Sequence, residues 1–299
     1  MIVKLSYPRF YAGTNAYLIT SRKECFQVQT HFVKNIINDY FWNNIISNIN
    51  LARVDIPFTY YMKSIEEFNS YLNIYTIFAY VYDKKNKSAR AKAYIDLLNK
   101  NYETLIYSSN GKGGKDSNSR LEIYNQYINL ENKLDIEFFN ETVRAYPDLS
   151  QRIRMEVSKR IRLRHGFTGT EFANFDILGN YFETYKNYIL DNILDFSIID
   201  NLYEQWANTL ANNLKNQRAL GNVNYEVFIL QNQGIIYDYE IIRRALAVGI
   251  DNINTRENAV TRVRRILNAN QSQNNIIVMD TYAILCRIRN VIQNYQLVD

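Results

Sequence analysis

The run Arg152-Ile153-Arg154-Met155-Glu156-Val157-Ser158-Lys159-Arg160-Ile161-Arg162-Leu163-Arg164-His165 alternates polar and apolar side chains with a period of two. In an extended chain, residues two apart share a face. Arg152, Arg154, Glu156, Ser158, Arg160, Arg162 and Arg164 therefore line one side of a strand, and Ile153, Met155, Val157, Ile161 and Leu163 the other. Only Lys159 interrupts the apolar row. The pattern calls for a sheet with one buried face and one face bearing a ladder of arginines around a single carboxylate.

Two upstream segments carry the same texture. From Leu51 to Phe58, Ala52, Val54, Ile56 and Phe58 alternate with Arg53, Asp55 and Pro57; from Ser119 to Tyr127, Leu121 and Ile123 alternate with Arg120, Glu122 and Tyr124. Glu103 to Ser108 pairs with the latter as a hairpin, and residues 109–118 form its loop. Gly111-Lys112-Gly113-Gly114-Lys115 in that loop departs from a Walker phosphate loop, because Ser109 stands for the first glycine and Asp116 for the hydroxyl residue. What remains is Lys112 and Lys115 beside exposed amides, suited to touching a phosphate backbone.

Outside these strands, residues 1–30 read as one or two short strands around Pro8 and Gly13. Phe32 to Ile45 reads as an amphipathic helix, Ser64 to about Tyr75 as a helix, and Ile77 to Tyr82 as a strand. Beyond Gly166 the period becomes helical: Ile189, Ile193, Phe196, Tyr203, Trp206 and Leu210 are so spaced, as are segments near 236–248, 257–268 and 280–295. Glycines at 166, 169 and 179 mark the change. The expected architecture is α+β: a domain over residues 1–168 with a mainly antiparallel sheet, then a helical domain over 169–299 for DNA binding or oligomerisation. Arg243, Arg244, Arg262, Arg264, Arg265, Arg287 and Arg289 fall between its apolar positions, as on solvated helix faces, and a helix-turn-helix fits between about 236 and 268.

Composition narrows the function classes. The 299 residues are 47% hydrophobic, enough for a sizeable core, and the net charge of +5 excludes a binder that works by bulk charge alone. Cys25 and Cys286 are too few and too far apart for a disulfide framework or a Cys-x-x-Cys site, which favours a reducing compartment. No apolar stretch approaches a membrane span or a signal-peptide core, so a cytoplasmic protein without a membrane partner is expected. The 25 tyrosines, with abundant Asn, Ile and Lys, follow an AT-rich coding bias, so no tyrosine stands out by its presence alone.

If the three polar strand faces adjoin, Asp55, Glu122 and Glu156 converge near a tyrosine hydroxyl. Clustered carboxylates are the donor set for Mg²⁺ or Mn²⁺, and the arginines around them would hold phosphates. The competing reading, which pattern alone favours, is that these carboxylates simply pair with arginines across the strands.

Taken in order, Leu51-Ala52-Arg53-Val54-Asp55-Ile56, then Ser119 to Tyr127 with Asn129-Leu130-Glu131, then Tyr146-Pro147-Asp148-Leu149 leading into Arg152 to Val157, resemble the replication initiation endonucleases of filamentous phages and related plasmids. The similarity spans roughly residues 50–176. It implies a metal-dependent enzyme of rolling-circle replication that nicks and rejoins single-stranded or supercoiled origin DNA through a 5′-phosphotyrosine, leaving a 3′-OH for the host replication machinery, in a bacterial host cytoplasm. It also implies Tyr124 as nucleophile and Asp55 and Glu156 as metal carboxylates, with Arg53 and Arg154 their neighbours; the strand faces themselves add Glu122 to the metal site and offer Arg53, Arg120, Arg152, Arg154, Arg160, Arg162 and Arg164 for DNA contacts. Family members often carry a lysine two residues after the tyrosine, where this chain has Gln126; Arg120, Lys133 or the metal would then activate the phenol.

Tyr127 is a rival nucleophile if the strand ends at Asn125. Tyr181, Tyr185 and Tyr188 share one helix face, as in two-tyrosine initiators, or as in a packing stripe. His31 and His165 are isolated and do not form a His-hydrophobic-His metal motif. A non-catalytic origin-binding initiator, or a structural or interaction protein of a phage or plasmid, are the alternatives to the enzyme.

Overall fold

The structure, a computed structural model, describes residues 4–45, 53–64, 67, 71–87, 93–96, 103–108, 119–160, 176–236, 238–272 and 279–298. Helix and sheet are mixed. Strands β1 (Arg53–Tyr61), β2 (Ala93–Asp96), β3 (Glu103–Ser108), β4 (Ser119–Asn125) and β5 (Arg152–Arg160) form an antiparallel sheet in the order β1-β5-β4-β3-β2. The arginine-rich strand is thus an inner strand, flanked by the two segments that share its alternation. Pro57 is accommodated because β1 lies at the edge, where a missing N–H on the outer side breaks no ladder bond.

The helices are α1 (Tyr7–Ala12), α2 (Arg22–Phe32, continued by a π-turn Val33–Ile37), α3 (Asp39–Ile45), α4 (Tyr71–Lys85), α5 (Gln126–Glu131), α6 (Ile136–Ala145), α7 (Asp176–Asn192), α8 (Phe196–Ala219), α9 (Tyr225–Gln231), α10 (Tyr239–Gly249), α11 (Ile253–Ser272) and α12 (Thr281–Gln293). A 3₁₀ turn, Pro147–Gln151, leads into β5.

On the apolar face of the sheet, Phe58, Leu121, Ile123, Met155 and Val157 are fully buried, each such side chain contributing about 1.5–3 kcal/mol relative to exposure. Phe58 meets Phe182 of α7 at 5.2 Å between ring centroids and Tyr295 at 5.7 Å. The hydroxyl of Tyr185 donates to the Val54 carbonyl at 3.0 Å, and that of Tyr295 to the Thr59 carbonyl at 2.8 Å. Lys159, the odd residue in the apolar row, lays its ammonium over the ring of Tyr188 at 4.7 Å and burial lowers its pKa. A cluster of Ala16, Leu130, Phe139 and Leu149, joined by Tyr127 and Tyr146, fills the space beside the start of β5.

Several local expectations give way. Residues 7–12 and 22–32 are helical, not extended. Pro8 opens α1 and Gly13, at φ +75°, ends it. Ser21 and Glu24 close a capping box on α2. Residues 77–82 continue α4 instead of forming a strand: the run is apolar throughout, so its sequence carries no period to distinguish the two, whereas in the structure Ile77, Phe78, Val81 and Tyr82 are buried and Ala79 and Tyr80 half-buried, a helical spacing. The expected hairpin of β3 and β4 is present in register Ser108↔Ser119, while its loop, with Lys112 and Lys115, lies outside the described residues.

Contacts divide the chain into two compact units, Met1–Lys63, Tyr82–Ile193 and Asn290–Asp299 forming the first and Ser64–Val81 with Leu194–Arg289 the second. This differs from the expected single cut at 168/169, since Phe182 and Tyr295 belong with Phe58 and so draw α7 and the last residues into the sheet's unit. In the second unit α10 packs on α8. A Cβ at Gly249 would come within 2.9 Å of a Leu214 methyl, so glycine permits that approach. Among the described residues no helix is long and apolar enough to cross a membrane.

Candidate functional site

Residues directly opposite in an antiparallel ladder project to the same face. The register sets Asp55 and Arg120 on either side of Ser158, Pro57 and Glu122 on either side of Glu156, and Thr59 and Tyr124 on either side of Arg154. Arg53, Asp55, Arg120, Glu122, Tyr124, Arg152, Arg154, Glu156, Ser158 and Arg160 therefore lie on one face of three adjoining strands.

At the centre, the Tyr124 hydroxyl donates to Glu156 Oε1 at 2.6 Å, and Arg154 Nε stands 2.7 Å from the same oxygen. Tyr124 and Arg154 are both nearly inaccessible, at 5% exposure, whereas Glu156 is half-buried. Burial holds the Tyr124 phenol well above its ordinary range; Arg154 opposes this in part and the Glu156 charge adds to it. The phenol is therefore neutral at physiological pH and already aimed at a proton acceptor. Beside it, Arg120 pairs with Glu122, and Arg53 Nε with Asp55 Oδ1 at 2.9 Å. The Oγ of Ser158, 6% exposed as a residue, is buried without a hydrogen-bond partner among the described residues.

The arginine ladder is not uniform. Arg152 is held inside the fold: its guanidinium bonds Asp148 at 3.1 and 2.8 Å and also the Ala16 carbonyl, with the rings of Tyr61 and Tyr146 within 6 Å. Arg154 Nη1 donates to the Asn15 carbonyl at 3.2 Å, and Gln126 Nε2 donates to the same carbonyl at 2.7 Å. Arg152 and Arg154 thus stitch residues 15 and 16 across the end of the polar face instead of standing open to a ligand. Arg160 is exposed; Arg162, Arg164 and His165 lie outside the described residues. Lys133 is engaged with Asn129 at 2.9 Å.

The rival tyrosines are placed elsewhere. β4 does end at Asn125, whose side chain caps α5, but Tyr127 packs edge-on to Phe139 at 5.1 Å. Tyr185 is fully buried and Tyr188 carries Lys159, so the α7 tyrosines form a packing stripe on the opposite face.

Glu122 and Glu156 are direct cross-strand neighbours, a spacing of ~5 Å between Cβ atoms, and two carboxylates so placed suit a hard cation. Asp55 lies one pair further along and turns to Arg53, so the three carboxylates do not gather, and no group of three His, Cys, Asp or Glu side chains forms a metal cluster among the described residues. Of the expected ligands, Glu122 and Glu156 fit and Asp55 stands apart.

The sequence reading missed Asn15 and Ala16, whose role rests on backbone carbonyls that carry no side-chain signal. No family model, curated protein or solved structure matches the chain.

Proposed function

We propose that the sheet-bearing unit is a tyrosine-dependent DNA nicking and joining enzyme, a rolling-circle initiator acting on origin DNA with the replication machinery of a bacterial host. The observation that carries this reading is the 2.6 Å hydrogen bond from Tyr124 to Glu156 on a face that also bears Arg120, Arg53 and the unpartnered Ser158 hydroxyl. The phenolic oxygen attacks phosphorus as its proton passes to Glu156; the bond to the 3′ oxygen breaks, that oxygen is protonated from water, and the 5′ phosphate stays on Tyr124. Joining is the reverse. Arg120 and Ser158 supply donors to the phosphate oxygens, the two being paired one same-face step, two residues, along the strands from Glu122 and Glu156. A Mg²⁺ or Mn²⁺ held by Glu122 and Glu156 would add charge stabilisation at the phosphate.

A second reading, a non-catalytic origin-binding initiator, is favoured by one observation: Tyr124 is covered and each nearby carboxylate is already paired with an arginine. Incubation with labelled single-stranded origin DNA separates the two. A denaturation-resistant adduct that disappears in Tyr124→Phe and persists in Tyr127→Phe supports the enzyme; salt-sensitive binding without any adduct selects the non-catalytic initiator.

A further inference from the structure

In the second unit α10 and α11 are joined by only three residues, 250–252. Ile250 is buried, and Asn252 Oδ1 accepts from the Thr255 amide at 3.0 Å, which fixes the start of α11. With α9 packed on α11 as well, the three helices have the connectivity of a helix-turn-helix module.

Among the described residues of α11, Ala259, Val263 and Leu267, one per turn, are buried and Arg256, Val260 and Ile266 half-buried beside them, so most of its circumference faces outward. Helical phase places Asn254, Asn258, Thr261 and Arg265 opposite that stripe, with Arg262 and Arg264 at the flanks, and all six are exposed. The flanking arginines are braced over aromatic rings of the neighbouring helices, Arg262 over Tyr225 at 5.7 Å and Arg264 over Tyr239 at 5.0 Å. The helix carries four arginines against one glutamate, Glu257.

We infer that α11 is a recognition helix for the major groove of duplex DNA. The outward row is chemically matched to base edges: asparagine to adenine, arginine to guanine, the threonine methyl to thymine, with arginines on both sides for phosphates. A protein partner is disfavoured because this row holds no large apolar anchor of the kind that forms an interface core. The inference does not rest on the chemistry at Tyr124, which belongs to the other unit.

The test is selection of the full-length protein against a random 20-base-pair duplex pool, followed by titration of the enriched duplex and of its separated strands. The wild type is expected to enrich a defined sequence and to prefer the duplex. Asn258→Ala and Arg265→Ala should each weaken binding about tenfold or more with unchanged melting, and Arg262→Ala should flatten the salt dependence. Tyr124→Phe should bind this duplex like the wild type, so failure of the nicking reading leaves the result intact. No enrichment, equal affinity for single strands, or wild-type affinity in both Asn258→Ala and Arg265→Ala would overturn the assignment.

Discussion

Tyr124, Glu156 and Arg154 hold one another in place, since the phenol and the guanidinium converge on one carboxylate oxygen. Removing the phenolic oxygen in Tyr124→Phe deletes a hydrogen bond to a charged acceptor, worth about 1.5–3 kcal/mol. The variant should melt at a lower temperature and remain folded, while adduct formation disappears; an adduct in Tyr124→Phe would refute the role given to this residue. Glu156→Gln is the harsher change, because it leaves the buried Arg154 without its anion. Breaking a fully buried pair costs about 3–5 kcal/mol, and the half-buried Glu156 places this change below that range, so its adduct assay belongs at a temperature where circular dichroism shows the fold intact. Asp55 is exposed and, among the described residues, pairs with Arg53, an arrangement worth about 0–1 kcal/mol. Asp55→Asn should therefore leave stability almost unchanged and reduce adduct yield less than Glu156→Gln. Equal losses of adduct from the two variants would bring Asp55 into the chemistry.

At the scale of elements, residues 13–17 are what closes the polar face beside Tyr124, since the carbonyls of Asn15 and Ala16 accept from Arg154, Gln126 and Arg152. Gly13 sets the path of this segment with φ +75°. A Cβ there would meet only Phe138 Cζ at 3.8 Å, so Gly13→Ala introduces backbone strain of about 1–2 kcal/mol without a clash. The expected outcome is a looser segment and faster nitration of Tyr124 by tetranitromethane, read by peptide mapping, with the sheet unaltered; an unchanged nitration rate would show that another element covers the phenol. The strands that build this face were legible because β1, β4 and β5 each alternate with a period of two, broken in the apolar row of β5 at Lys159, and the period also told which residues share a side. What period cannot show is which part of a polar face the rest of the chain will cover. Arg152 and Arg160 look alike in the alternation, yet one is held by Asp148 and Ala16 and the other is exposed. Pro8 and Gly13 were read as turn punctuation when they are the start and stop of α1, and the bonds to Asn15 come from side chains 111 and 139 residues away in sequence.

Across the whole molecule, the two discontinuous units differ in how they bury charge. In the first, the buried Arg152 and Arg154 are paired with Asp148 and Glu156. In the second, Asp238 is fully buried, and its donors among the described residues are neutral: its carboxylate accepts from the Tyr203 hydroxyl and the Tyr282 amide, each at 2.8 Å, and from the Glu240 amide at 2.9 Å. Burial raises its pKa to about 6, the three hydrogen bonds opposing and the Asp280 charge adding to the rise. The unfolded value is near ~3.9, so the folded state binds the proton more tightly than the unfolded chain. The resulting stability is full below pH ~4 and is lost as pH rises through about 6. Other carboxylates act in the opposite sense: Glu24 and Glu240 are lowered in spite of burial, by their hydrogen-bonding partners, and contribute stability that is lost in acid. Comparison with Asp238→Asn separates the two. The amide cannot accept at both oxygen positions and sets its NH₂ against a donor, so the variant should be less stable throughout. The wild type's margin over it should nevertheless shrink by roughly 2 kcal/mol between about pH 4.5 and pH 7.5. Trp206, whose ring lies 5.3 Å from that of Tyr203, reports unfolding of this unit by fluorescence in a Trp42→Phe background. A margin independent of pH would mean that Asp238 keeps an ordinary carboxylate pKa in the folded protein.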